Sequence, residues 1–333
     1  MFLEIMRFNF EWDILDWFNK IDLKFFDYFF YFISQIGGSI GILILMTIVY
    51  WCINKEKGIK IAYISILGIN LNGILKGMFQ SLRPFQYEGK EYLRKLDGTS
   101  LSEGASGTSF PSGHSQNSGT LYSSSIRYFK KNWVIICSIF MLIIVPTSRL
   151  YLGVHFPGDV VVGTSIGIIS TIIFGTIIDK FYHKKYHVFI ITTICLIPFL
   201  FIPNMGKDFY KGMGILFGCL LGLFLEEKYV NFEIAKSRKV NIIRYLFGLV
   251  LMIIIYLGAH VINHLDVVLN NQFLLKLLSI LNEEEREIIS LHMVSGFKHR
   301  EISRVLNKPL STVLSKYNRA MKKLQQYVKE VKL

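Results

Sequence analysis

Of 333 residues, 52% are hydrophobic, 14% aromatic and only 18% charged, and the formal net charge is +13. With a mean hydropathy of +0.41, the composition excludes an ordinary soluble domain. Lys and Arg gather in short hydrophilic connections and in the last sixth of the chain, so basicity has two sources: loops facing anionic headgroups, and a soluble tail that can face nucleic acid or a membrane surface.

From Phe2 to Asp27 aromatics interleave with Glu4, Glu11, Asp13, Asp16, Lys20, Asp22 and Lys24, which suits an amphipathic interfacial helix over residues 1–27 or, more plainly, a frayed tail. This acidic, aromatic run is unlike the basic start of a cleavable signal peptide, so the first membrane helix is expected to be its own insertion signal. Apolar runs then predict membrane helices over about Tyr28–Cys52, Ile59–Phe79, Ser112–Tyr128, Trp133–Tyr151, Asp159–Ile178, His187–Ile202, Gly212–Leu225 and Asn241–Val261. Ser112–Tyr128 carries Ser, Gln, Asn and Thr along its length. It is expected inside the bundle, where polarity marks a site or a tight interface. Cys52, Cys137, Cys195 and Cys219 sit in or beside apolar runs without C-x-x-C spacing and read as small buried hydrophobes. From about Asn270 the pattern turns charged and helical. The sequence thus predicts an all-α protein: a polytopic transmembrane bundle of six to eight spans over 28–263, a linker over 264–281, and a small three-helix domain over 282–333.

Three islands carry chemistry, each at the end of an expected membrane helix. In K-G-M-F-Q-S-L-R-P, Lys76 and Arg83 stand close to two helical turns apart, on nearly one face, before Pro84 ends the helix. Alone they read equally well as snorkelling cations at a membrane boundary. Pro111-Ser112-Gly113-His114 opens the polar third helix. Ser112 is suited to cap it, the free backbone N–H groups and dipole end make an anion site, and His114 can give a proton to a leaving oxygen. By itself such a histidine is more often an interfacial polar residue, but the Gly/Ser/Thr-rich stretch from Ser102 to Ser109 suits a loop covering a pocket. In the third island Ser148 precedes Arg149, whose planar fork matches phosphate oxygens; His155 can act as nucleophile, and Asp159 can hold its imidazole in the attacking tautomer. Pro157 and Gly158 intervene, so spacing leaves open whether Asp159 touches His155. Isolated, this island also fits a loop salt bridge.

Taken in order, Lys-x6-Arg-Pro, Pro-Ser-Gly-His and Ser-Arg-x5-His-x3-Asp resemble the type 2 phosphatidic acid phosphatase and vanadium haloperoxidase superfamily, with no departure at any motif position. The resemblance implies a helical bundle with its active site at one membrane face. His155 would attack phosphorus to give a phosphohistidine, Asp159 would orient it, and His114 would protonate the departing alkoxide. Lys76, Arg83 and Arg149, helped by Ser112 and the Gly113 N–H, would hold the phosphate oxygens. Three cations and a helix N-terminus can do what Mg²⁺ does elsewhere, so no metal and no other cofactor is expected. Haloperoxidases of the superfamily hold vanadate in a similar pocket, but membrane embedding favours a lipid phosphate whose headgroup reaches the cations while its chains stay among membrane lipids. Phosphatidic acid, phosphatidylglycerophosphate and undecaprenyl diphosphate all fit.

In the tail, Asn282-Glu-Glu-Glu-Arg-Glu-Ile-Ile-Ser-Leu opens a helix that turns Ile288, Ile289 and Leu291 toward a small core. A second helix, His299–Leu306, and a basic helix, Ser311–Val328, follow. This order resembles the helix-turn-helix of region 4 in sigma-70 family transcription factors. The resemblance implies DNA or protein binding, with Ser311, Thr312, Ser315, Lys316 and Arg319 nearest the groove. A basic face resting on anionic lipid or on a protein is the competing reading. A membrane-tethered transcription regulator is therefore the rival function class.

Basic connections at Lys55, Lys57 and Lys60, at Arg127, Lys130 and Lys131, at Lys180, Lys184 and Lys185, and at Lys228, Lys236, Arg238 and Lys239 alternate with the three islands. The positive-inside rule places them in the cytoplasm and the active site outside the cell membrane. Eight full spans would also bring the tail outside, away from DNA. A cytoplasmic tail therefore requires Gly212–Leu225 or Asn241–Val261 not to cross.

Overall fold

The computed structural model describes residues 7–21, 23–96, 107–202, 205–293 and 297–331, and within them the side chains of all but 39–40, 262–278, 293 and 328–331. It holds helices and no strand among the described residues, and divides into two units, Met1–Leu246 and Phe247–Leu333.

The first unit opens with α1 (Asn9–Asn19). One face of α1 buries Leu15 with Leu93 and Phe156, while Phe8, Phe10 and Trp17 are exposed. The expected 1–27 segment is thus shorter as a helix, and docks through its apolar side. The single span expected over Tyr28–Cys52 is instead two helices, α2 (Lys24–Ile36) and α3 (Ser39–Ile48), the latter continuing through a π-helical turn to Ile53, with a 50° bend between them. Gly37 and Gly38 supply the break, since glycine is a poor helix former. An added Cβ at Gly37 would strike the Val145 side chain.

The remaining helices are α4 (Lys55–Met78), α5 (Gly113–Phe129), α6 (Asn132–Tyr151), α7 (Pro157–Lys180), α8 (Lys185–Leu196), α9 (Lys207–Leu225) and α10 (Arg238–Ser279). Helix α4 is capped by Asn54, whose Oδ1 accepts from Lys57 N at 2.8 Å. It buries Tyr63, Ile64, Ile66 and Leu67 in a core shared with Phe189, Phe209 and Leu216, as a helix apolar on most sides should. Helix α5 is interior, as its polarity predicts: Ser115, Gln116, Ser118, Thr120 and Ser124 are buried. Gln116 satisfies itself by accepting from Asn72 Nδ2 and donating to the Gly68 carbonyl, both at 2.8 Å. Its seat on α7 depends on Gly119, where an added Cβ would lie 2.6 Å from the Thr164 carbonyl.

Among the described residues, six helices are long and apolar enough to cross a membrane: α4, α6, α7, α8 with its flanking 3-10 turns, α9 with its π-helical turn, and Arg238–Val261 of α10. The α2–α3 pair adds a seventh if it is one span. The chain is a multi-pass membrane protein. Cys137 and Cys195 are exposed and Cys52 and Cys219 half-buried, correcting their expected burial. On a helix face turned to lipid, a small apolar side chain needs no protein cover. The stretch expected as a linker, 264–281, is helical as far as Ser279, because it contains neither Gly nor Pro to stop α10.

The second unit ends in α11 (Glu283–Met293), α12 (His299–Val305) and α13 (Leu310–Val331). Asn282 and Glu285 cap α11 reciprocally: Glu285 N donates to Asn282 Oδ1 at 2.8 Å and Asn282 N to Glu285 Oε2 at 3.2 Å. Ile288, Ile302 and Val313 form one small core, and Leu281, Ile289 and Ala320 another.

Candidate active site

In the first unit the C-terminal ends of α4 and α6 meet the N-terminal ends of α5, α7 and α9 around a cavity of about 720 Å³. Lys76, Arg83, Gly113, His114, Arg149 and His155 all line it. Six expected site residues therefore converge, from elements up to 79 positions apart in the chain. The remaining two, Ser112 and Asp159, are fully buried behind this lining.

The loop that carries His155 is built from its sequence. Helix α6 ends at Tyr151, and Gly153 then takes φ of +66° where an added Cβ would run into the Leu93 carbonyl, a turn that only glycine makes without strain. Pro157 starts α7 at a position that needs no N–H, and Asp159 Oδ2 accepts from Phe156 N at 3.0 Å. That capping bond fixes the carboxylate one turn from the imidazole.

Asp159 Oδ2 lies 3.6 Å from His155 Nδ1, too long for a direct hydrogen bond. Ser109 fills the gap: its Oγ donates to Asp159 Oδ2 and stands 3.4 Å from His155 Nδ1. On the other side of the ring, Arg83 Nη1 is 3.2 Å from His155 Nε2. A guanidinium has no acceptor, so Nε2 receives this bond and the ring proton sits on Nδ1. Burial, and then the charges of Arg83, Arg149 and Lys76, hold His155 well below the usual imidazole range. The geometry yields a neutral imidazole with its Nε2 lone pair on the cavity side.

The cations are braced by backbone rather than by carboxylates. Lys76 Nζ donates to the Thr108 carbonyl at 2.6 Å, Arg83 Nε to the Gly107 carbonyl at 3.0 Å and Arg83 Nη1 to the Val154 carbonyl at 2.9 Å. Arg149 Nη1 donates to Ser34 Oγ, whereas its buried Nε has no partner among the described residues. An unsatisfied buried donor costs about 1–3 kcal/mol, a cost that an anion in the cavity would remove. Ser112 does cap α5, its Oγ accepting from Ser115 N at 3.5 Å and from Ser115 Oγ at 2.9 Å. The His114 ring packs on Gly38, where a Cβ would come within 3.1 Å of His114 Nε2.

Several participants escaped sequence reasoning. Arg7 Nη1 donates to Asp159 Oδ1 at 2.8 Å and Arg7 Nη2 to Ser81 Oγ at 2.6 Å. Ser109 stood only at the end of the Ser102–Ser109 loop, most of which lies outside the described residues. Asn72, Asn117, Asp208 and Lys211 also line the cavity. Asn117 was signalled in advance by the polar run of α5, and Asn72 only as a polar residue on an otherwise apolar helix.

In the second unit, Ser311, Ser315 and Arg319 are exposed, and Thr312 is half-buried. Their spacing of four places Ser311, Ser315 and Arg319 on one stripe of α13. Lys316 is held in an ion pair by Glu284 of α11.

Comparison with known proteins agrees with this architecture. The PAP2 superfamily matches residues 57–183, a range that contains all three islands, and the transmembrane extension of PAP2 superfamily phosphatases matches residues 210–278. Region 4 of sigma-70 matches residues 274–324. A lipid A 4'-phosphatase of Bacteroides thetaiotaomicron is 29% identical over 163 residues, 46% of this chain and 70% of that protein. An undecaprenyl-diphosphatase of Sulfolobus acidocaldarius is 31% identical over 117 residues, 34% of this chain and about half (51%) of that protein. Among solved structures, Aquifex aeolicus LpxE aligns at a TM-score of 0.44 with 26% identity, over 52% of this chain and 99% of its own. A PAP2-type phosphatidylglycerolphosphate phosphatase from Bacillus subtilis aligns at 0.43 with 24% identity, over 51% and 85%.

Proposed function

The chain belongs, over residues 57–183, to the PAP2 superfamily, and from that premise we propose that it hydrolyses the phosphate of a membrane lipid through a phosphohistidine on His155. The observation that carries this reading is the meeting of His155, His114, Lys76, Arg83 and Arg149 on one cavity. In the first step His155 Nε2 bonds to phosphorus as the bond to the lipid alkoxide breaks, and His114 gives that alkoxide its proton. In the second, water attacks the phosphohistidine, His114 takes its proton, and inorganic phosphate leaves. Lys76, Arg83 and Arg149 cancel charge on the non-bridging oxygens throughout. The incoming phosphate dianion offsets these cations and so favours the protonated His114 that the first step needs. Relatives named as lipid A 4'-phosphatase and undecaprenyl-diphosphatase support a lipid monophosphate or diphosphate, the class that also includes phosphatidic acid and phosphatidylglycerophosphate. The basic connections at the opposite helix ends support a site on the outer face of the cell membrane. Phosphate release from a panel of these lipids by the purified protein, with His155→Ala as control, tests the reading. Release that persists in His155→Ala overturns the mechanism, and no release from any lipid phosphate overturns the activity.

For the C-terminal helices a separate reading is favoured by the exposed stripe of Ser311, Ser315 and Arg319 and the likeness to sigma-70 region 4: binding of duplex DNA. Binding that falls steeply with salt supports it; its absence leaves a lipid-facing or protein-facing module.

A further inference from the structure

Arg7 stands 152 positions before Asp159 in the chain, yet the two form an ion pair at 2.8 Å with side chains only 7% and 0% exposed. We propose that Arg7 is a positioning residue for the reaction centre: it fixes Asp159 and offsets part of its charge, so that His155 stays aligned and unprotonated. This inference rests on His155 being the nucleophile.

The division of labour on Asp159 is geometric. Oδ1 is taken by Arg7, while Oδ2 accepts from Ser109 Oγ and Phe156 N and faces His155. Arg7 is itself held, by donation to Ser81 Oγ at 2.6 Å and by stacking 4.0 Å over the Phe156 ring. Nearby residues of the same segment grip the same loop. Glu11 Oε1 accepts from Gly158 N at 2.8 Å, and Trp12 meets Phe156 edge-on at 4.8 Å. Arg7 is absent from the cavity lining, so it acts on phosphate only through Asp159.

The charged and titratable groups around His155 are Lys76 from α4, Arg83 from the following loop, His114 from α5, Arg149 from α6, Asp159 from α7, and Asp208 and Lys211 from α9 across the cavity, with Arg7 behind Asp159 and Glu11 beside Gly158. The cations favour neutral imidazole, and Asp159 opposes them. Removing Arg7 leaves the Asp159 charge uncompensated, so protonation of His155 becomes easier; a charge at this range moves an imidazole by about one pH unit.

The test uses the full-length protein in detergent, and reads neutral His155 by peptide-resolved carbethoxylation with diethyl pyrocarbonate across the acid to neutral range. In wild type the midpoint should lie well below the ordinary imidazole range. In Arg7→Gln it should rise by about one unit, and Arg7→Lys should restore it. Arg7→Met, which keeps the stem over Phe156, serves if Arg7→Gln does not insert. Phosphate release from dioctanoyl phosphatidic acid should show kcat lowered about tenfold, with KM within about twofold. An unmoved midpoint, or an effect on KM alone, overturns the proposal. A wild-type protein that releases no phosphate overturns the proposed activity instead, while the modification midpoints still judge Arg7.

Discussion

Arg83 Nη1 and His155 Nε2 lie 3.2 Å apart, and this one contact ties a proposed phosphate-binding cation to the lone pair of the proposed nucleophile. The same guanidinium donates to the Gly107 and Val154 carbonyls, so it is a brace as well as a charge. Lysine keeps the charge and loses the fork. Arg83→Lys is therefore expected to lower kcat/KM by about a hundredfold or more, roughly 3 kcal/mol of transition-state stabilisation. Rates measured on a lipid phosphate decide it: near-wild-type activity would mean that charge alone suffices.

Ser109 bridges His155 Nδ1 and Asp159 Oδ2, which are 3.6 Å apart. Ser109→Ala removes that link without touching the cavity lining, and kcat should fall about tenfold with KM little changed. Steady-state kinetics that show an unchanged kcat would mean Asp159 reaches the imidazole directly during turnover.

How much of this was readable beforehand differs residue by residue. The convergence of Lys76, Arg83, His114, Arg149 and His155 on one cavity was legible because their types and spacings suit one chemistry, and the polarity of α5 marked it as interior. The Gly37–Gly38 break was overlooked because the surrounding run stays apolar, and hydropathy does not register a bend. Arg7 and Ser109 could not be read because their meaning arises from a fold that brings an N-terminal segment and a loop against α7. Asp159 was legible as a partner in kind, but the serine between it and His155 was not. The end of α10 was not legible for another reason: charged and polar residues near Asn270 signalled a change of character, yet the helix runs on to Ser279.

Lys76, Arg83 and Arg149 converge on the cavity, and in the proposed mechanism they supply the charge neutralisation that phosphoryl transfer demands. Hydrolysis should therefore survive EDTA and be inhibited by vanadate, which mimics pentavalent phosphorus among the same cations. Complete loss of activity in EDTA, restored by Mg²⁺, would overturn the assignment of that role to these side chains.

On α13, Arg319 is exposed whereas Lys316 is paired with Glu284. If the stripe meets DNA, Arg319→Ala should weaken binding and reduce the salt slope by about one. Lys316→Ala should act more on domain stability, by about 0.2–1 kcal/mol for a partly exposed pair. Fluorescence anisotropy at several salt concentrations, beside thermal unfolding, separates the two. Equal effects of both changes on the salt slope would place Lys316 at the phosphates as well.

The connections within the first unit predict its orientation. Lys57, Arg127, Lys130, Lys131, Lys180 and Lys184 cluster at helix ends opposite to those that carry His114 and His155. Under the attraction of cytoplasmic anionic lipid for Lys and Arg, the proposed catalytic end is expected outside. Glu88, between α4 and α5, and Lys131, between α5 and α6, are both exposed, so each can carry a reporter without disturbing packing. In a background lacking Cys52, Cys137, Cys195 and Cys219, Glu88→Cys should react with a membrane-impermeant thiol reagent on intact cells, whereas Lys131→Cys should react only after permeabilisation. The reverse pattern would turn the active site to the cytoplasm and leave an enzyme acting on newly made rather than exported lipid. Labelling of both positions on intact cells would show that α5 does not carry the chain across, despite its place inside the bundle.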